Sequence, residues 1–131
     1  MATRSYLDFA VSDFLAAKAI FAAGYYDHCV KLCQQAAEKY LKHIIEQQGT
    51  PADMLLLRSH KVHQLYDRAC AILSLPVNKS IRSDMATLSD FYFDKSYPGD
   101  NDAPVSMPDA ETAIQSVEGM VAAIGLGWPK E

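Results

Sequence analysis

Apolar residues return every three or four positions along most of the chain and nowhere alternate over a useful length, a pattern that predicts helices and no sheet. Breakers at Gly24, Gly49-Thr50-Pro51, Pro76, Tyr97-Pro98-Gly99 and Pro104 to Pro108 divide it into five such segments. The first is expected from about Tyr6 to Ala23, with Leu7, Ala10, Phe14, Ala17 and Phe21 on one stripe, Ser5 as cap and Gly24 as stop. The second, about Tyr26 to Gln48, has the widest apolar face: Cys29, Cys33, Ala36, Ala37, Tyr40, Leu41, Ile44 and Ile45. Gln34, Glu38, Lys42 and Glu46 are expected on its opposite, solvated side. The third opens near Ser59 as N-cap and carries Val62, Leu65, Tyr66, Ala69, Ile72 and Leu73. A fourth runs from about Lys79 to Phe93 with Ile81, Met85, Leu88 and Tyr92 in step. The fifth is capped by Ser106, with Pro108 in the first turn and Asp109 and Glu111 suited to the positive end of the helix dipole. Its stripe is Ala110, Ala113, Ile114, Val117, Val121 and Ile124, and Gly125 ends it.

Short connections between amphipathic helices favour antiparallel neighbours. The expected fold is therefore all-α, an up-and-down antiparallel bundle of four to five helices. It forms one domain over residues 1–131 with a core from about 5 to 125. With 131 residues, half of them hydrophobic, the chain can bury that core without disulfides or metals. The stretch from Asp94 to Met107 reads as a long acidic, proline-punctuated loop, a length that often carries function.

Charge narrows the classes. A net charge of −4 argues against a general electrostatic grip on nucleic acid, while leaving room for a local basic pocket. No apolar stretch of signal-peptide length opens the chain and no run of about 18 apolar residues spans a membrane. A cytoplasmic location with no membrane partner is the expectation. Cys29 and Cys33 stand four apart on a helix, and only Cys70 joins them, too few for a metal knuckle. They read as core thiols. Asp94, Asp100 and Asp102 lack the spacing of a calcium loop and read as a solvated acidic run. Neither a metal nor a cofactor is expected.

Three runs carry more specific information. They are Gln34-Gln35-Ala36-Ala37-Glu38-Lys39-Tyr40-Leu41-Lys42, then Ser59-His60-Lys61-Val62-His63-Gln64-Leu65, then Asp90-Phe91-Tyr92-Phe93-Asp94-Lys95-Ser96-Tyr97-Pro98. With Asp109-Ala110-Glu111-Thr112-Ala113 opening the last helix, their order resembles the HEPN domain from about residue 5 to 125. The resemblance implies a four- or five-helix bundle, frequently dimeric and often paired with a minimal nucleotidyltransferase, in some cases as toxin and antitoxin. Some members cut RNA without metal, through an Arg, four to six intervening residues, and then a His. Arg58 and His63 have that spacing, but they straddle a helix start, and five helical residues turn a side chain by about 140°. The Arg of the family's Arg-Tyr-Pro segment is replaced here by Ser96, beside Lys95.

The candidate site gathers Gln35, Glu38, Lys39 and Lys42 along one edge of the second helix, His60 and Lys61 at the start of the third, and Lys95, Ser96 and Tyr97 from the long loop. Free N–H groups at a helix start and lysines suit phosphate, and Tyr97 suits stacking on a base. The expected ligand is a nucleotide or RNA. The bland reading of Glu38 and Lys42 is an i,i+4 pair on a solvated face. His28 and His43 read as polar-face histidines. Tyr25, Tyr26, Tyr40, Phe91, Tyr92 and Phe93, with Leu55-Leu56-Leu57, exceed what one core needs and suggest a homodimer contact. Two competing readings remain. One is a metal-independent ribonuclease using His60 or His63 as general base with Arg58 beside it, and the other is a structural interaction domain.

Overall fold

The computed structural model describes residues 5–95 and 105–128, the side chains of 91–95 excepted. It is the expected all-α up-and-down bundle. Five α-helices follow one another: α1 (Tyr6–Ala22), α2 (Tyr26–Gln48), α3 (Val62–Ile72), α4 (Lys79–Lys95) and α5 (Met107–Ile124), with a 3-10 helix, Pro51–Arg58, between α2 and α3. No strand occurs among the described residues. No described helix is long and apolar enough to cross a membrane.

Local chemistry sets most helix ends. Ser5 Oγ accepts from the Asp8 N–H while Asp8 accepts from the Ser5 N–H, a reciprocal cap that satisfies two otherwise unpaired donors. Ser106 and Asp109 repeat it at α5. Gly125, at φ +86, takes the left-handed turn that stops α5.

α2 is the axis of the bundle: α1, α3, α4, α5 and the 3-10 helix all pack on it. Its apolar residues Cys29, Cys33, Ala36, Ala37, Tyr40, Leu41, Ile44 and Ile45 are buried as the pattern requires. Burial does not stop at one face, however. Gln34 is 0% exposed, Glu38 6% and Lys42 4%, which overturns their assignment to a solvated side. Only Glu46 of that set is exposed. The reason is topological, because a helix wrapped on several sides has little outer face left for its polar residues.

Three other expectations change. Ser59 does not cap α3: it ends the 3-10 helix, donating its N–H to Leu56 O, and α3 begins at Val62. The Val62 N–H is taken instead by Ser89 Oγ of α4 at 2.7 Å, a buried cap supplied across the bundle. Lys95 closes α4 and does not belong to a loop, since the helix runs two residues past Phe93. Tyr40 is a core residue at 1% exposure, in edge contact with Trp128 at 5.2 Å between ring centroids; Trp128 also stacks on Phe14 at 5.1 Å. Trp128 thus folds the chain beyond α5 back onto α1 and α2. Burial pushes the Tyr40 phenol up to about 12.

The connection after α2 is more ordered than its residues suggested. Thr50 and Asp53 cap the 3-10 helix, and Arg68 of α3 grips Asp53 with Nε at 2.7 Å and Nη2 at 3.2 Å. The Arg68 guanidinium, followed by the Thr50 N–H, holds the Asp53 carboxyl below its ordinary value. Leu56 and Leu57 pack against the core, and Leu55 stays 73% exposed. The three cysteines are buried free thiols, as core thiols should be. Burial raises Cys29, Cys33 and Cys70 above the ordinary thiol value.

Candidate functional site

A polar cluster sits on the middle of α2 where α3 begins. Gln34, Glu38 and Lys42 follow at four-residue steps, so they line one face over two turns. Lys42 Nζ donates to Glu38 Oε2 at 2.9 Å, and Gln34 Nε2 donates to Glu38 Oε1 at 3.0 Å. His60 enters from the segment between the 3-10 helix and α3, its Nδ1 3.0 Å from the same Oε1. A carboxylate oxygen can only accept, so Nδ1 carries the proton in this contact. The same logic fixes the Gln34 amide with its nitrogen toward Glu38 and leaves Gln34 Oε1 buried with no partner. Of the four side chains, only His60 reaches solvent substantially, with 47% of its side-chain surface exposed.

The remaining candidates are distributed around this cluster. Lys39 is turned to another face of α2, where its Nζ pairs with Asp13 of α1 at 2.7 Å and lies 5.3 Å from the Phe9 ring centre. Gln35 is half-buried beside the cluster. Lys61 is the exposed N-cap residue of α3, and its N–H donates to Ser59 Oγ. Lys95 lies on the last turn of α4, and the Ser89–Val62 bond places that end of α4 beside the α3 start. Six helical residues from Ser89 to Lys95 add about 9 Å along the axis. Ser96 and Tyr97 fall outside the described residues, as do Asp100 and Asp102. The side chains of Phe91, Tyr92 and Phe93 are likewise outside them.

Two of the three expected segments therefore meet in direct contact, Glu38 with His60, and the helix leading to the third runs alongside. What the sequence reading missed is Gln34 as a member, and Ser89 as the residue that sets where α3 starts. The Gln34-Glu38-Lys42 spacing was available as a signal, but nothing local says that this face is buried.

The alternative pair is arranged differently. Arg58 is the exposed last residue of the 3-10 helix, and His63 stands in the first turn of α3, half-buried, with Nδ1 buried and without a partner. No hydrogen bond joins the two among the described residues. His43 is also half-buried, with an unpartnered Nδ1. Grooves elsewhere include one of about 400 Å3 between Tyr66, Leu75, Pro76 and Ile124, and one of about 310 Å3 between Tyr25, His28 and Val105. No group of three or more metal-ligating side chains occurs among the described residues.

The chain is an all-helical bundle whose central helix carries a buried Gln-x3-Glu-x3-Lys set, met by a histidine from the segment leading into the next helix. The family model of the HEPN domain matches residues 3–126, and the chain belongs to that family. The membership makes it a helical module related to nucleotides and RNA. No curated protein and no solved structure matches the chain.

Proposed function

We propose that this protein is an accessory HEPN module that binds a nucleotide or RNA end beside His60 and acts with a protein partner such as a minimal nucleotidyltransferase, as a homodimer. The site is built around Gln35, Glu38, Lys42, His60 and Lys61, with Lys95 from the last turn of α4 and Ser96 and Tyr97 from the segment after it. The observation that carries this reading is the buried Gln34–Glu38–Lys42 set ending in a half-exposed imidazole. Buried ion pairs are poor stabilisers, because desolvation offsets most of their attraction and apolar side chains of like volume serve a core as well or better. A charged set retained on the central helix and opening onto a histidine is accounted for by a ligand more readily than by packing. Lys61 and the start of α3 add positive charge next to it, which suits phosphate.

Binding is favoured over RNA cleavage by the state of the candidate groups. His60 is engaged by a carboxylate, and Arg58 lies on the preceding helix with no bond to His63. Calorimetry of the purified chain with ATP, GTP and a short RNA is expected to show saturable binding that weakens in Lys61→Ala and His60→Ala. RNA incubated with the protein in EDTA should remain intact. Cleavage that disappears in His63→Ala would replace this reading with the ribonuclease. Absence of heat with every ligand would leave the structural interaction domain.

A further inference from the structure

His60 is held from the core side by Glu38, whose Oε1 lies 3.0 Å from its Nδ1. The carboxylate receives three donors on its two oxygens: Gln34 Nε2 and His60 Nδ1 on Oε1, and Lys42 Nζ on Oε2. Clamped in this way and 8% exposed as a side chain, it is a fixed acceptor for the imidazole. Lys42 balances its charge inside the bundle, and Gln34 fixes its plane. A neutral imidazole free in water favours the proton on Nε2, so a carboxylate on Nδ1 selects the less common tautomer and orients the ring.

We propose that Glu38 is the positioning residue of the nucleotide site: it holds His60 as the Nδ1-protonated tautomer in one orientation, with Nε2 as the ring's acceptor nitrogen, while Lys42 and Gln34 hold Glu38. The inference rests on the binding role proposed above for His60 and assigns different work to residues first grouped together. Glu38 and Lys42 act through the histidine and do not touch the ligand. For a side chain that keeps about half its surface in water, a fixed carboxylate on Nδ1 narrows the rotamers and tautomers it samples, and each wasted state avoided raises the fraction competent to bind. Buried polar partners that orient a working group are common where a site must be preorganised.

The test begins with the wild-type chain, recording the ring nitrogens of 15N-labelled histidine by NMR at neutral pH, with His60 assigned through His60→Ala. The expected signature is a protonated Nδ1 and an unprotonated Nε2. A ring with its proton on Nε2 overturns the proposal. The second arm replaces the pair together, Glu38→Leu with Lys42→Met, leaving the bundle apolar where it was charged. Helix content by circular dichroism checks the fold, and the His60 signals should revert toward the Nε2-protonated form. Glu38→Gln keeps an oxygen acceptor and is expected to keep the wild-type tautomer. Loss of the tautomer in Glu38→Gln and retention in the double variant would each contradict the mechanism. With ATP as probe, affinity should fall about tenfold in the double variant, as for one lost hydrogen bond, and stay within about threefold in Glu38→Gln. If wild-type protein gives no heat with ATP, the binding role falls, while the ring nitrogens still decide what Glu38 does.

Discussion

Lys42→Met removes the ammonium that faces Glu38 Oε2 at 2.9 Å and replaces it with an apolar chain of similar reach. Both side chains of the pair lie within the packed interior, at 6% and 8% exposure. Breaking such a pair from one side typically costs about 3–5 kcal/mol, because a charge is left buried without its partner. Here Glu38 keeps two donors, from Gln34 and His60, so the expected loss falls at or just below the bottom of that range, at roughly 2–3 kcal/mol. Glu38→Leu strands the Lys42 ammonium instead, and the flexible stem lets it reach toward water, which puts the cost in the same range of roughly 2–3 kcal/mol. Replacing both together removes two desolvation penalties with one attraction, and the double variant should lie within about 1 kcal/mol of wild type. The coupling between the two positions then exceeds roughly 3 kcal/mol, large for neighbouring residues. Urea unfolding followed by circular dichroism measures all four corners of the cycle. With a slope of about 1.5 kcal/mol/M, each single variant should lower the midpoint by roughly 1.3–2 M. Single variants that cost under about 1 kcal/mol each and add in the double variant would refute the reasoning, since they would show a pair screened by water.

Other consequences follow from individual contacts. Ser89→Ala leaves the Val62 N–H buried without an acceptor and should destabilise by about 1–2 kcal/mol in the same urea assay, with amide exchange accelerating first at the start of α3. The Asp53 carboxyl has its folded value lowered, chiefly by Arg68, so its contribution is complete above the unfolded value near 3.8 and disappears as pH falls through the lower folded value. Asp53→Asn should therefore be less stable than wild type at pH 7, with the gap closing below pH 3.8. Cys29 and Cys33 are buried and shifted away from thiolate, so a disulfide reagent at pH 8 should label them only at the rate of unfolding. Fast labelling in native buffer would contradict that burial.

Much of the helical plan was legible in the residues themselves. The stripes of α1 and α5, the Ser5 and Ser106 caps and the Gly125 stop depend on contacts within one turn, which the chain makes wherever it coils. The candidate site was legible in part. Glu38 and His60 were singled out through the family likeness, but their direct bond was not, and neither was Gln34 as the third partner. The bond needs two elements to arrive at the same place, and Gln34 joins because neighbouring helices bury the face of α2 that it shares with Glu38.

Tertiary packing decided the rest. The same spacing that let Gln34, Glu38 and Lys42 read as a wet face became an interior face once the other helices had packed around α2. The start of α3 was set by Ser89, 27 residues downstream, because its hydroxyl accepts the Val62 N–H while the Ser59 hydroxyl is engaged by the Lys61 N–H. Trp128 found Phe14 and Tyr40 only when α5 had delivered it there. Periodicity records how a helix divides its own surface, while the number of neighbours that cover that surface is a property of the assembled bundle, and that number turned a salt pair on α2 into the buried support of a histidine.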